Sequence, residues 1–415
     1  MRSLRLPRMN ATTRSLAALY PWHFGGGLAC AGPVLGVDYL TGGSTWTFDP
    51  FELVDADQAS NPNVVVAGEP GMGKSGIGKT AAWWLVGAFG YRLVVVDVKS
   101  EYTALGEALG CDRLALHPHG ASRVNPMTSD GTLDGDKQRL RFVAALTSVL
   151  VGRSLSAVER VLLDESVALV AEAEREPLLR HLVAVITELP DRLVDGLQKD
   201  RQDLLNRTDE IRYALRSLLT GSLAGMFDAP TNVSIDPNSP GLILDVSTAG
   251  NDDELLQLSM LAGLRAVSQL RASGTRRTLL FADETWRLAT TSQTVRFLQH
   301  SWKLGRQTGT SCWAMIHRFS DLAAQSDDGT ALAKVTRALV ADSGTHILFR
   351  HGKREDAELT AAELSLPAAA VEVLQKLPIH RALIHCGGRL AVVEARFTDT
   401  LAQLAYTNQA MGRVA

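Results

Sequence analysis

The stretch Val64–Trp84, VVVAGEPGMGKSGIGKTAAWW, contains the pattern G-x-x-x-x-G-K-[ST] twice, once from Gly68 to Ser75 and once from Gly73 to Thr80. The chemistry of such a stretch is phosphate binding. Backbone N–H groups wrap the phosphates at the start of a helix, the lysine reaches the β- and γ-phosphates, and the hydroxyl binds Mg²⁺. A loop of this kind starts where a strand stops. The β-branched run NVVVA ends at Ala67, so Gly68 opens the first register directly, while the second leaves GEPGM between strand and loop. Pro70 also suits a loop ahead of a helix that starts near Gly73. Against this, the first register places Gly76 and Gly78 early in the helix, at about 1 kcal/mol each relative to Ala. The two lysines cannot share a role, because five helical residues separate them by about 7.5 Å of rise and turn them to different sides. The first register is preferred. Gly68, Glu69, Pro70, Gly71, Met72, Gly73, Lys74, Ser75 and Gly76 then form the nucleotide cradle, with Lys74 on the phosphates and Ser75 on Mg²⁺. Lys79 becomes an ordinary helix lysine.

Hydrolysis of a phosphate bond also needs carboxylates. In RTLLFADETWRLA a hydrophobic strand ends in adjacent acids, Asp283 to hold Mg²⁺ through its water shell and Glu284 to polarise the attacking water. An acidic first helical turn, favoured by the helix dipole, would look the same in isolation. The upstream phosphate loop favours the catalytic reading. Asp245, in GLILDVS, has no second acid beside it and is the fallback. The segment SWKLGRQTGTSCWAMIHRFSDL sets Arg306 before a buried strand and His317 and Arg318 after it. A strand end beside the carboxylate strand suits a γ-phosphate sensor, which makes His317 the candidate; a satisfied surface histidine is the alternative. Arg306 or Arg350 could act in trans on a neighbouring subunit's nucleotide.

The elements that must position these residues are visible as short, nearly continuous apolar runs: NVVVA, RLVVVDV, GLILDVS, TLLFADE, CWAMIHR, THILFR and RALIHC. Runs of this kind suit strands buried on both faces, and helical segments between several of them predict a doubly wound α/β core with a mostly parallel sheet. Alternating residues around TGG predict a hairpin over Pro33–Leu53. From Thr132 to Pro240 the apolar residues fall at helical spacing with no strand-like run, which predicts an all-α insertion. The chain thus divides into an N-terminal segment (1–32), a first part of the nucleotide-binding core (33–131), the insertion (132–240) and a second part carrying the carboxylates (241–415).

Composition sets the outer limits. A 415-residue chain that is 46% hydrophobic and 21% charged has the make-up of a globular protein with a real core. A net charge of −3, with GTRRT as an isolated basic cluster, gives no support for a nucleic-acid face. Cys30, Cys111, Cys312 and Cys386 lack metal-ligand spacing and read as free thiols in a reducing compartment. Pro21, His23, Pro33 and clustered glycines make SLAALYPWHFGGGLACAGPVLGV a poor membrane helix, and the leader MRSLRLPR lacks the apolar run of a signal peptide. A cytoplasmic location is expected, with recruitment to the inner face of the cell membrane by a larger assembly left open.

Taken in order, the motifs resemble the ATPase domain of TraC/TrbE-type (VirB-type) conjugative ATPases. These energise type IV secretion and belong to the FtsK–HerA group of RecA-like P-loop ATPases. GPVLGVDYLTGGSTWTFDPF with NPNVVVAGEPGMGKS is similar to that family's opening hairpin and Walker A motif. VVVDVKSEYTALGEALG resembles its acid-x-x-x-Glu-Tyr strand (Asp97, Glu101, Tyr102), and RVNPM its Asn-Pro turn (Asn125, Pro126). GSLAGMFDAPTNV is similar to the segment leaving the helical insertion, LLFADETWRLA to Walker B, and GRQTGTSCWAMIHRFSDL to the later motif block. The resemblance implies a RecA-like fold, ATP and Mg²⁺ as ligands, a hexameric homo-oligomer, and partners in a membrane secretion or conjugation complex. Two departures stand out. The family usually has Gln where His317 lies, and its large N-terminal docking domain has no counterpart here, which points to supply by a separate protein or to a specialised offshoot. The leading expectation is an ATPase driving conjugative DNA or protein transfer. A DNA-pumping translocase or coupling protein is the second reading. A nucleotide-sensing scaffold without turnover is the third, and Glu284 argues against it.

Overall fold

The computed structural model describes residues 30–39, 43–118, 120–197, 200–232, 236, 238–250, 252–272 (the backbone alone from 264), 276–282, 302–303, 305–318, 340 and 342–405. Strands β1 (Val34–Asp38) and β2 (Ser44–Thr47) pair as an antiparallel hairpin, and α1 (Pro50–Asp55) follows, its first N–H groups capped by Asp49. Strand β3 (Val64–Ala67) leads to α2 (Lys74–Gly87), and β4 (Arg92–Asp97) to α3 (Thr103–Leu109) and β5 (Asp112–Ala115). Helices α4 (Leu133–Leu150), α5 (Ala157–Ala173), α6 (Leu179–Glu188), α7 (Asp191–Leu197), α8 (Arg201–Arg207) and α9 (Asp209–Thr220) come next. The chain then returns through β6 (Gly241–Asp245), α10 (Asp253–Ala272), β7 (Thr278–Ala282), β8 (Thr310–Ile316) and β9 (Thr345–Leu348). It closes with α11 (Arg354–Glu363), α12 (Ala369–Lys376), β10 (Arg381–Cys386), β11 (Arg389–Ala395) and α13 (Asp399–Ala405).

Among the described residues the strands form one sheet of eleven, in the order β2-β1-β11-β10-β9-β3-β8-β7-β4-β6-β5. The seven strands from β9 to β5 are parallel, and β10, β11, β1 and β2 extend them antiparallel. The residues dictate this. β3, β4, β6, β7, β8 and β9 are buried at every position, which only helices covering both faces of a parallel sheet provide. Two strands lie outside the runs read from sequence. β5 is short, with a single buried position, and β11 begins on two exposed residues. β11 did carry a turn signal: Cys386 pairs with Arg389 across Gly387 and Gly388, whose φ values of 55° and 74° make the two-residue hairpin turn that glycine permits.

This order positions the site. β8 lies between β3 and β7, and β9 flanks β3 on its other side. The residues that follow β3, β8 and β9 therefore emerge side by side at one end of the sheet.

Helices α4 to α9 are amphipathic and share a core with the sheet: Leu146, Leu162, Leu182, Ile211 and Leu215 cluster with Val96, Leu114 and Leu244. The Asn-Pro turn clips this layer in place. Asn125 donates to the carbonyl of Pro177 (2.8 Å), accepts from Met127 N–H (3.0 Å), and its own N–H donates to Thr231 (2.9 Å). Ser156 and Glu159 form a capping box at the start of α5, and Arg153 joins Glu159 to Glu210 of α9. The Arg153 guanidinium holds the Glu159 carboxyl down to about 2. All four cysteines are free thiols, Cys312 and Cys386 buried and the other two half-buried. Burial pushes Cys30 up to about 11 and Cys111 up to about 12. Among the described residues no helix is long and apolar enough to cross a membrane, and no group of three or more His, Cys, Asp or Glu is placed to hold a metal ion.

Candidate nucleotide site

β3 stops at Ala67 and α2 starts at Lys74, so the turn between them spans the first register of the double motif. Gly68 (φ 142°), Gly71 (78°) and Gly73 (111°) all take conformations that residues with a Cβ avoid. At Gly68 a Cβ would also lie 2.6 Å from the Cβ of Phe349, so the loop presses on the chain leaving β9. The first N–H groups of α2 have no partners within the helix and point into this turn.

Lys74 is buried, and its ammonium donates to the carbonyls of Gly68 (2.6 Å) and Glu69 (2.9 Å). It also lies 3.2 Å from Nδ1 of His317, whose own carbonyl accepts the Gly68 N–H (3.3 Å). Ser75 is half-buried in the first turn of α2. On the far side of the loop the Glu69 N–H donates to the Arg350 carbonyl (3.0 Å). The Glu69 carboxylate accepts from Gly352 N–H (3.0 Å) and faces Arg350 Nε (3.4 Å). The His380 N–H donates to the Met72 carbonyl (3.1 Å). The Glu69 clasp and the His380 contact were not legible beforehand, because about 280 to 310 residues of chain separate the partners and no local pattern links them.

The second register lies inside α2, and here one expectation is corrected. Lys79 is not an ordinary helix lysine: it is fully buried, with its ammonium 5.2 Å from the centroid of the Tyr102 ring. It also approaches the carbonyls of Leu404 (3.4 Å) and Ala405 (3.5 Å) in α13. Gly78 serves packing, since a Cβ there would lie 2.5 Å from Met315 Cε and 3.3 Å from the Phe281 ring. The acid-x-x-x-Glu-Tyr pattern is tied to the same feature. Asp97 is fully buried and its carboxylate accepts the N–H groups of Lys99, Glu101 and Tyr102, closing the turn that sets Tyr102 under α2. Burial raises the Asp97 carboxyl above its ordinary value, against the pull of those N–H groups.

The other sequence-derived candidates divide. Arg306 and His317 stand at opposite ends of β8, some seven strand residues or roughly 20 Å apart. Arg306 is exposed and lies at the end of β8 away from the phosphate loop of its own chain. Arg350 adjoins its own loop through Glu69 (3.4 Å). Arg318 pairs with Asp356 of α11 (3.3 Å). Asp283 and Glu284 lie outside the described residues; β7 is described to Ala282, which pairs with Val96 of β4 and Ala314 of β8. Asp245 is separated from β7 by β4 and already engaged by Ser247 Oγ (2.6 Å) and Arg113 (2.5 Å). Burial alone would raise its carboxyl, but Ser247 and Arg113 prevail and hold it below the ordinary value.

No protein-family profile matches the chain, and no curated protein matches it. Solved structures do. VirB4 of Thermoanaerobacter pseudethanolicus superposes with a TM-score of 0.76 over 91% of this chain and 100% of that one, at 18% identity. The bacterial conjugative coupling protein TrwBΔN70 in unbound form gives 0.57 over 81% and 85%, at 18% identity. The plasmid coupling protein TrwB in complex with a non-hydrolysable ATP analogue gives 0.58 over 81% and 86%, at 19% identity. Likeness at such low identity is likeness of fold. In fold, then, this chain is similar to VirB4 and to the coupling protein TrwB.

Proposed function

We propose that the protein is an oligomeric, Mg²⁺-dependent ATPase that energises a conjugative or type IV secretion-like transfer machine at the inner face of the cell membrane. The observation that carries this reading is the Lys74 ammonium, held at the first turn of α2 within 3.2 Å of His317, in a fold shared with VirB4. The residues fit a nucleotide triphosphate. Three glycines in left-handed conformations turn the loop around the N-terminus of α2, where N–H groups and the helix dipole favour anions. Lys74 neutralises the β- and γ-phosphates. Ser75 and Asp283 hold Mg²⁺, which supplies further neutralisation of developing charge. Glu284 orients the attacking water, and His317 reads the γ-phosphate through its contact with Lys74. Arg306, exposed and remote from its own loop, is offered to a neighbouring subunit's nucleotide in a hexameric ring.

Steady-state ATP hydrolysis measured across protein concentration tests this reading, with Lys74→Ala, Glu284→Gln and Arg306→Ala beside the wild type. Activity per subunit is expected to rise with concentration and to vanish in the first two variants. ATP binding without turnover at any concentration would favour a nucleotide-dependent scaffold instead.

A DNA-pumping or coupling role is the second reading, favoured by the fold shared with TrwB. Against it, Arg277 of the adjacent arginine pair is already engaged by Glu52 (3.1 Å) and Asp55 (3.0 Å). DNA binding that weakens steeply with salt would move this reading ahead.

A further inference from the structure

The phosphate loop has two sides, and they differ in chemistry. Toward β8 lie Lys74 and His317, the polar end where the terminal phosphate belongs. Toward β10 and β11 lie two aromatic rings. A Cβ at Gly73 would meet His380 Nδ1 at 3.0 Å, and a Cβ at Gly76 would meet the Phe397 ring at 3.4 Å. Gly73 and Gly76 are three apart at the start of α2, so they share one face. The two rings form an edge-to-face pair, with centroids 5.3 Å apart and an interplanar angle of 74°.

His380 is built into this place. Its φ of 65° lies in the left-handed region that a residue with a Cβ rarely adopts, and it is held there by two backbone hydrogen bonds. Its N–H donates to the Met72 carbonyl of the phosphate loop (3.1 Å), and its carbonyl accepts the Ala395 N–H at the end of β11 (2.9 Å). The chain leaving β11 then brings Phe397, a half-buried residue, against Gly76.

A triphosphate whose terminal group sits at Lys74 and His317 carries its nucleoside away from them, along the start of α2 and past Gly76. The geometry points to Phe397, braced edge-to-face by His380, as the platform on which the nucleobase stacks. This rests on the reading of Gly68–Ser75 as a triphosphate loop and adds the base-recognising residue to it. Stacking uses the flat face that every base has, so it supplies affinity without a hydrogen-bond pattern. His380 is a positioning residue, acting through Phe397 and Gly73.

Inorganic tripolyphosphate separates the two halves of the ligand, because it offers the phosphates without a base. Calorimetric binding of ATP and of tripolyphosphate, each with Mg²⁺, would be measured on the full chain as wild type, Phe397→Leu and Phe397→Trp. Phe397→Leu keeps apolar bulk against Gly76 but removes the ring. It is expected to weaken ATP about tenfold while leaving tripolyphosphate within about twofold, and Phe397→Trp to restore ATP binding. The added indole fluorescence of Phe397→Trp should change with ATP and not with tripolyphosphate. Equal weakening of both ligands, or unchanged ATP affinity, overturns the inference. If the wild type binds both ligands equally, the base platform fails alone; if it binds neither, the phosphate-loop reading fails with it.

Discussion

The ammonium of Lys79 lies 5.2 Å from the centroid of the Tyr102 ring, beneath the helix that carries Lys74 and wholly out of solvent. Two lysines five residues apart in one repeated motif therefore meet opposite environments. Lys74 faces the loop, and Lys79 faces the interior where α2, the turn before α3 and the end of α13 meet. The two should separate in experiment. Lys79→Ala removes a long buried side chain together with its cation–π contact, so it should lower the unfolding free energy by about 2–4 kcal/mol. Lys74→Ala should abolish ATP binding at a much smaller cost in stability. Urea unfolding and calorimetric ATP titration of both variants check this; a stable Lys79→Ala protein that cannot bind ATP would return the phosphates to the second register.

Gly68→Ala probes the loop itself. A Cβ would lie 2.6 Å from Phe349 Cβ and 3.1 Å from its backbone, at a φ of 142° that alanine resists. Neither obstacle is the free end of a flexible side chain. The substitution should cost about 2–3 kcal/mol and move the loop off β9. Thermal unfolding and ATP affinity should fall together, whereas an unchanged melting temperature would mean that the loop has slack there.

His317 is the residue at which the likeness to conjugative ATPases leads one to expect glutamine. Its Nδ1 stands 3.2 Å from the Lys74 ammonium, a distance that a glutamine side-chain carbonyl could also span. His317→Gln is therefore expected to keep most of the turnover. His317→Ala should lower kcat by about 10- to 100-fold with KM changed only a few-fold. Full activity in the alanine variant would remove His317 from the site.

Acid should weaken the fold through a histidine pair remote from the loop. His346 of β9 and His385 of β10 are cross-strand partners, their rings stacked at 5.6 Å and 21°. Burial pushes His346 down to about 4, the Val340 carbonyl opposing and His385 adding to the shift, and burial lowers His385 as well. Both fall below the value of about 6.5 expected in the unfolded chain, so the unfolded state takes up protons first as pH falls. This stability is whole above about pH 6.5 and is lost progressively toward about pH 4, with His346 alone accounting for about 3 kcal/mol. Urea unfolding at about pH 7 and about pH 4.5 measures the loss. His346→Phe should flatten that dependence, and an unchanged slope would place the acid sensitivity elsewhere.

Much of the architecture could be read from local pattern. Strands buried on both faces must be largely apolar, so β3, β4, β6, β7, β8 and β9 announce themselves as runs, and β10, half-buried at two positions, does so too. β5 did not, because its single buried position leaves no period to detect. The β10–β11 hairpin could have been found from its Gly-Gly turn. Arg306 and His317 flank one strand, at its start and its end. A strand holds its two ends apart by its full length, and only one end can reach the phosphate loop.

By itself, the sequence determined the things that depend on residues close along the chain: a loop opening at Gly68 where a β-branched strand stops, a helix beginning at Lys74, and helices wherever apolar residues repeat at helical spacing. Tertiary structure alone decided what depends on partners far apart in the chain. It placed β8 between β3 and β7, so that His317 meets Lys74 across 243 residues. It buried Lys79 against Tyr102 and α13, closed Glu69 onto Arg350 and Gly352, and brought His380 and Phe397 to the glycines of the loop. The physical reason is range. Propensity and periodicity act within a few turns of helix or one strand, while the environment of a side chain is set by whichever elements the sheet order brings beside it.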